Sequence, residues 1–128
     1  MNKLRIDDLV YKNITMSVSD VSEGIKISFI GSIDMEYPQE KLDAYFDHFH
    51  EAVLQNKIKN VFCDFQELCY INSRGTRCLI RWIMQNTEAA VDKFQYNLIF
   101  IMSKDYKWQK SSIGFLKTLS PELIHIQE

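Results

Sequence analysis

Glycine is scarce in this sequence, and no glycine-rich loop is present. Only four glycines occur among the 128 residues, and neither the G-x-x-x-x-G-K-[ST] nor the G-x-G-x-x-G pattern is found. Both patterns bind phosphates through backbone amides, so the sequence does not predict a glycine-rich phosphate-binding loop. No grouping of Cys with His, or of Ser with His and Asp, has the spacing of a known catalytic motif. We therefore predict no enzyme activity, no catalytic residue, no metal site and no cofactor.

Cysteines, long apolar runs and excess charge are also scarce. The three cysteines are an odd number and form no C-x-x-C pair, and residues 1–10 are too polar for a signal peptide. No apolar run reaches the roughly 18 residues that a membrane span needs. The formal net charge of −2 provides no basic field for nucleic acid. These features predict a cytoplasmic protein with reduced thiols that neither spans a membrane nor binds nucleic acid.

Hydrophobic periodicity predicts one α/β domain. The predicted strands are 14–18, 25–29, 61–65, 96–102 and 123–126, and the predicted helices are 39–55, 73 to about Val91 or Asp92, and a short one from Ile113 to before Pro121. The order ββαβαβαβ should form a small mixed sheet packed with helices. Because 96–102 is the most continuously apolar run, we expect it to be covered on both faces. One domain should span 1–128, with a core at about 13–127 and residues 1–12 as a flexible arm or an edge strand.

The stretch from Val61 to Trp82 organises the rest of the chain. An apolar, β-prone run ends at Asp64, a polar break follows at Gln66 and Glu67, and a second apolar run leads to Asn72 and Ser73. There the periodicity changes from strand to helix. Asn and Ser are favoured N-cap residues because their side-chain oxygens accept hydrogen bonds from first-turn amides. The start of this helix is therefore a place where a negative charge would be stabilised.

A strand, an apolar approach and Asn72-Ser-Arg-Gly75 opening a helix resemble the STAS domain, the fold of anti-sigma factor antagonists. The resemblance runs in order across about residues 13–127. It matches Ser73 to the serine that a partner kinase phosphorylates in that family, and Gly75 to the motif glycine. The segment Gly31-Ser-Ile-Asp34 resembles the family's Gly-Glu-Leu-Asp segment, with Asp34 at the aspartate position. The loop Gly31–Glu36 is expected near the same end of the sheet as Ser73.

The resemblance implies a non-enzymatic bacterial signalling module. Its partner would be a serine kinase/anti-sigma factor of the histidine-kinase-like ATPase type, and phosphorylation of Ser73 would weaken that complex. The binding surface would be the Asp34 loop and the start of the helix from Ser73 to Arg81. The expected partner-binding residues are Asp34, Asn72, Arg74, Gly75, Arg77 and Arg81. Two residues depart from the family pattern: Asn72 stands where the antagonists usually have aspartate, and Arg74 where they have a small residue. These departures favour an alternative, a constitutive STAS scaffold or regulatory subunit of a multiprotein complex, for example beside a transporter ATPase, without phospho-switching.

Each candidate site residue also has a structural interpretation. Ser73 is either a helix cap or a phospho-acceptor, and Asp34 either forms a turn or contacts the partner. Arg74, Arg77 and Arg81 recur at i, i+3 and i+7 on one side of the helix. They form either a solvated face or an anion-recognition stripe, in which Arg74 would compensate a phosphate on Ser73.

Basic and aromatic residues alternate in a second segment near the C-terminus. Lysines 104, 107 and 110 are interleaved with Tyr106 and Trp108. This pattern indicates either a solvated helix or loop, or a surface that contacts an anionic partner.

Overall fold

The computed structural model describes residues 1–89 and 93–127. In chain order, its elements are β1 (Leu9–Tyr11), β2 (Ile14–Val21), β3 (Gly24–Ile33), α1 (Gln39–Gln55), β4 (Asn60–Ile71), α2 (Ser73–Thr87), β5 (Asn97–Ile101), α3 (Trp108–Ser112), a 3₁₀ helix (Gly114–Leu119) and β6 (Ile124–Gln127). This arrangement confirms the predicted mixed α/β class, with one additional strand at the N-terminus.

The six strands lie in the sheet in the same order as in the chain. β1, β2 and β3 are antiparallel neighbours, whereas β3, β4, β5 and β6 are parallel. Parallel neighbours need crossover connections, which are almost always right-handed. Successive right-handed crossovers between strands in sequence order place all the connecting helices on one face of the sheet. The main core lies between that face and the helices.

The expectation that the fifth strand is covered on both faces is wrong. In β5, Leu98 and Phe100 are buried, whereas Asn97, Ile99 and Ile101 are only partly buried. The same alternation occurs in β2 and in the first half of β3. A run of apolar residues does not distinguish a two-sided environment from a one-sided one when the outward positions are only partly exposed.

The predicted break at Gln66 and Glu67 does not end the strand. β4 continues from Asn60 to Ile71 and stays paired with β3, with register shifts that absorb the irregularity. Pairing with β5 stops at Asp64, opposite Ile101. Gln66 and Glu67 therefore lie where β4 extends beyond its pairing with β5. This depends on the tertiary structure and not on the local sequence.

Several predicted boundaries also change. Residues 9–11 form an edge strand paired with β2, which confirms the second of the two alternatives for the N-terminal segment. β3 runs to Ile33, so the predicted loop Gly31–Glu36 begins only at Asp34. Helix α2 ends at Thr87, and the predicted end at Val91 or Asp92 lies outside the described residues. The predicted short helix from Ile113 is preceded by α3 and is itself a 3₁₀ helix.

In the part of the chain that the structure describes, no helix is long and apolar enough to cross a membrane.

Candidate functional site

The site lies at the edge of the sheet where the parallel strands end. β3 ends at Ile33 and β4 ends at Ile71, so the segments that follow them emerge side by side. The amide of Asn72 donates a hydrogen bond of 2.9 Å to the carbonyl oxygen of Ile33. The loop containing Asp34 and the start of α2 are therefore adjacent, as the resemblance implies.

Asn72 connects the two segments with its side chain. Its Oδ1 accepts a hydrogen bond of 2.8 Å from the amide of Gly75, and its Nδ2 donates one of 2.8 Å to the carbonyl oxygen of Met35. Only this orientation of the amide pairs a donor with an acceptor at both ends. An aspartate would cap the helix equally well but has no proton for Met35.

Ser73 is the first residue of α2, and it is exposed. The capping oxygen belongs to Asn72, so the interpretation of Ser73 as the helix cap is wrong. The hydroxyl of nearby Thr76, in contrast, is not free, because it donates a hydrogen bond of 3.1 Å to the carbonyl oxygen of Asn72. Ser73 thus presents a hydroxyl to solvent at the positive end of a helix dipole.

Gly75 lets the helix approach the sheet closely enough to hold Ser73 at this edge. A Cβ at this position would lie 2.6 Å from Cγ2 of Ile33 and 2.8 Å from Cγ1 of Ile71. Both isoleucines are buried and have little room to move. The motif glycine is therefore required for packing between α2 and the ends of β3 and β4.

The three arginines line one groove between α1 and α2, as their spacing predicts, but their guanidinium groups have different surroundings. The groove has a volume of about 520 Å³. Arg74 turns toward the Asp34 loop: its Nη1 donates to the carbonyl oxygen of Glu36 at 2.8 Å, and its guanidinium lies 5.3 Å from the ring centre of Tyr37.

Arg81 turns the other way, toward α1. It donates to both carboxylate oxygens of Asp47, at 2.9 and 3.2 Å, and this hydrogen bonding lowers the pKa of the Asp47 carboxyl. Arg77 lies between Arg74 and Arg81 and is exposed. It is also one helical turn after Ser73, at i+4, where side chains are neighbours. Arg77 is therefore better placed than Arg81 to meet an anion on Ser73.

Asp34 is exposed, and its carboxylate accepts hydrogen bonds of 3.2 and 3.3 Å from Nδ2 of Asn13. Asn13 follows β1 and was not singled out from the sequence, because nothing local indicates a partner so distant in the chain. Its carbonyl oxygen also accepts from the amide of Ser32 at 2.9 Å. Gly31 makes this possible by adopting a φ of +109°, which other residues rarely reach. Asn13 thus fastens the start of the Asp34 loop, whereas Asn72 and Arg74 bond to its later residues Met35 and Glu36.

The cysteines add no nucleophile to this site. Burial raises the pKa of the Cys78 thiol, at the base of the groove, to about 12, and raises that of Cys63 as well. Such thiols remain protonated near neutral pH. The described residues also contain no group of three or more His, Cys, Asp or Glu side chains arranged to hold a metal ion.

No family model and no curated protein matches this sequence. Solved structures do match. An anti-sigma factor antagonist from Mycobacterium paratuberculosis aligns with a TM-score of 0.56 and 16% identity, covering 91% of this chain and 88% of that one. The anti-sigma factor antagonist SpoIIAA in its unphosphorylated form aligns with a TM-score of 0.52 and 15% identity, covering 88% and 87%. The chain has a STAS-like fold.

In this STAS-like domain, the residues matched to the family motif lie together. Asp34, Asn72, Ser73, Arg74 and Gly75 all lie at the carboxyl edge of β3 and β4. Asn72 and Gly75 face inward and fasten the helix, whereas Asp34, Ser73 and Arg74 are exposed. The STAS-like domain therefore has a supporting layer and an outer layer at this edge, and the outer layer is the part available to a partner.

Proposed function

We propose that this STAS-like domain is a non-enzymatic signalling module of the bacterial cytoplasm. Its docking surface consists of Asp34, Tyr37, Ser73, Arg74 and Arg77. The partner is a serine kinase/anti-sigma factor of the histidine-kinase-like ATPase type, and phosphorylation of Ser73 weakens the complex. The observation that carries the proposal is the exposed Ser73 hydroxyl at the first position of α2, which Asn72 frees from capping.

The fold supports this proposal because the two similar structures described above are anti-sigma factor antagonists. The surface itself supports protein docking, since it combines an aromatic side chain with arginines. Tyr37 is 49% exposed and lies beneath the Arg74 guanidinium. Tyrosine and arginine are among the residue types enriched at the energetic centres of interfaces.

Phosphorylation would change the charge of this surface directly. A phosphoserine carries about −1.5 to −2 charges and three acceptor oxygens. In the free domain, the helix dipole and Arg77 would accommodate that charge. In a desolvated interface, the same charge would lose its water without gaining a dedicated partner, so the bound state would be destabilised more than the free state.

The first test is phosphoryl transfer from labelled ATP in an extract of the source cells. The wild-type domain should become labelled on Ser73, and Ser73→Ala should not. Thr76→Ala is the matched control, because Thr76 lies in the same helical turn but its hydroxyl bonds back to Asn72. Equal labelling of wild type and Ser73→Ala would refute Ser73 as the acceptor.

The second test measures binding to the kinase recovered in this way. Ser73→Glu should lower affinity at least tenfold, about 1.4 kcal/mol. Glutamine is nearly the same size as glutamate but carries no charge, so the affinity of Ser73→Gln should stay within a few-fold of wild type. If both variants lose affinity equally, size rather than charge matters, and the switch as proposed is wrong.

One observation favours the alternative, a constitutive scaffold or regulatory subunit. Arg74 donates to the Glu36 carbonyl and lies over the Tyr37 ring, so its guanidinium already has partners within the domain. A scaffold would bind its partner equally well as wild type, Ser73→Glu and Ser73→Gln. The same three proteins therefore distinguish the two functions.

A further inference from the structure

A second groove lies at the same edge of the sheet, beyond β5 and β6. Its volume is about 740 Å³, and its walls come from the segment after β5, from α3 and from β6. The side chains that matter here are Met102, Lys104, Tyr106, Lys107, Lys110 and Ile126. This volume falls within the range of small-molecule sites.

The rim of this groove is basic. Lys104, Lys107 and Lys110 are exposed and line it, with Asp105 as the only carboxylate residue in the segment 104–110. Within residues 1–89 and 93–127, no carboxylate oxygen lies within 4.0 Å of these three ammonium groups. The whole chain is slightly acidic, at −2, so the positive charge here is local.

The floor of the groove is apolar. Ile126 is paired with Phe100, which places it on the side of the sheet that faces the helices. Ile124, two residues earlier on that side, is fully buried, whereas Ile126 remains 38% exposed. The helical layer therefore stops short of Ile126 and leaves an apolar surface that continues from Met102.

The wall of the groove is held in place by hydrogen bonds. The indole of Trp108 donates to the carbonyl oxygen of Cys69 at 3.0 Å, and the Tyr106 hydroxyl lies 3.2 Å from the Cys69 sulfur. Buried Gln109 bonds to Phe65 and Ser103. A wall fixed before binding loses little conformational entropy when a ligand enters.

We propose that this groove binds a small amphipathic anion, a single-chain molecule with a carboxylate or phosphate head and an apolar body. The head is neutralised by Lys104, Lys107 and Lys110, and the body lies over Met102 and Ile126. A concave surface of this size fits one such chain, whereas binding at a membrane surface uses an exposed apolar helix face that enters the bilayer interface. The assignment is independent of the function proposed for Ser73.

Isothermal titration calorimetry with decanoate, below its micellar concentration, tests the assignment. Decanoate should bind at least about tenfold more tightly than 1-decanol, because only the carboxylate meets the lysines. Octanoate should bind more weakly than decanoate, by up to about fourfold for each methylene group that is buried. Absence of decanoate binding at millimolar concentration, or equal binding of decanol, would overturn the proposal.

Two variants test separately how the groove binds the charged head and the apolar body of the ligand. The triple variant Lys104→Gln, Lys107→Gln, Lys110→Gln should lose at least about tenfold in decanoate affinity and leave decanol binding unchanged. Ile126→Ser should weaken both ligands. The matched control changes Lys3, Lys41 and Lys59 to Gln; these residues are also exposed but lie outside the groove. Equal effects of the two lysine triples would show a general charge effect and overturn the site.

Cosedimentation with phosphatidylglycerol vesicles distinguishes the source of the ligand. Decanoate binding without vesicle binding is the expected result. Vesicle binding without decanoate binding would identify a membrane surface instead and would overturn the proposal. Neither assay involves the kinase or Ser73, so their failure and a failure of the proposed function are separate outcomes.

Discussion

The side-chain amide of Asn72 lies 2.8 Å from the carbonyl oxygen of Met35, on the loop that carries Asp34. The same side chain caps α2 through Gly75. Asparagine is thus the residue type that serves both positions, because it has a donor and an acceptor on one planar group. Asn72 therefore has a structural role, in joining the Asp34 loop to α2, that is separate from any role in phosphorylation.

Asn72→Asp should therefore destabilise the domain, even though aspartate is a good N-cap. The aspartate would lose the hydrogen bond to Met35 and would place a carboxylate oxygen against the Met35 carbonyl oxygen. Its negative charge at the helix start would recover about 0.3–1 kcal/mol of stability. We expect a net loss of about 1 kcal/mol in the free energy of unfolding, measured by urea denaturation at neutral pH. Asn72→Ala, which loses both bonds, should cost about 2–3 kcal/mol. An Asn72→Asp variant as stable as wild type would contradict this account.

Gly75→Ala should lower the free energy of unfolding by about 1–3 kcal/mol, because the added Cβ would overlap Ile33 and Ile71. On helix propensity alone, alanine would be more stable by about 1 kcal/mol, so the sign of the effect is diagnostic. Gly114→Ala is the control, since a Cβ there meets nothing within 4 Å. It should be neutral or slightly stabilising. A stabilised Gly75→Ala variant would show that the isoleucines repack freely.

Gln109→Met should be among the more damaging single substitutions in this domain. The buried amide of Gln109 donates to the carbonyl oxygens of Phe65 and Leu68, at 2.7 and 2.9 Å, and accepts from the amide of Ser103 at 2.8 Å. Methionine fills the space but leaves these backbone groups without partners, which should cost about 3 kcal/mol or more. Thermal and urea unfolding measure the loss. Gln66→Met, at an exposed position of β4, is the control and should change stability by less than about 0.5 kcal/mol.

His50 should make stability depend on pH in the mildly acidic range. Its Nδ1 lies 2.7 Å from the Tyr96 hydroxyl oxygen, which already accepts a bond of 2.9 Å from the Trp82 indole. The hydroxyl proton is therefore directed at His50, which accepts it in its neutral form. Burial lowers the pKa of His50, against the opposing effect of the nearby Glu51 and Asp47 carboxylates.

Because the folded-state pKa of His50 lies below its unfolded value of about 6.5, the unfolded chain binds the proton first as pH falls. The stabilisation is complete above about pH 6.5 and is lost as the pH drops toward the lower folded-state pKa. Urea midpoints measured from pH 7.5 to 5 should decline in wild type and decline less in His50→Gln. His48→Gln, at an exposed position of the same helix, should follow wild type. Parallel curves for wild type and His50→Gln would exclude His50 as the source.

Local pattern was sufficient for much of the fold. The predicted helix 39–55 matches α1 at both ends, because its apolar residues recur every three to four positions and Pro38 marks its start. The change of period at Asn72 and Ser73 located the start of α2 for the same reason. Helical spacing and capping act between residues a few positions apart, so they can be read from the sequence directly.

The contacts that build the two surfaces join distant parts of the chain, and only the tertiary structure decided them. Asn72 reaches Met35, Arg81 reaches Asp47, and Gln109 reaches Phe65. No periodicity encodes such pairs, because they depend on which strands become neighbours and where each one ends. The sequence by itself determined most of the elements, the STAS-like resemblance and the position of Ser73, whereas α3 and the full lengths of β3 and β4 emerged only in the structure. The sheet order and the packing of the helices on it decided that Asn72 also bonds to Met35, that Arg74 turns toward Glu36, and that Arg81 pairs with Asp47, because each of these contacts joins segments far apart in the chain.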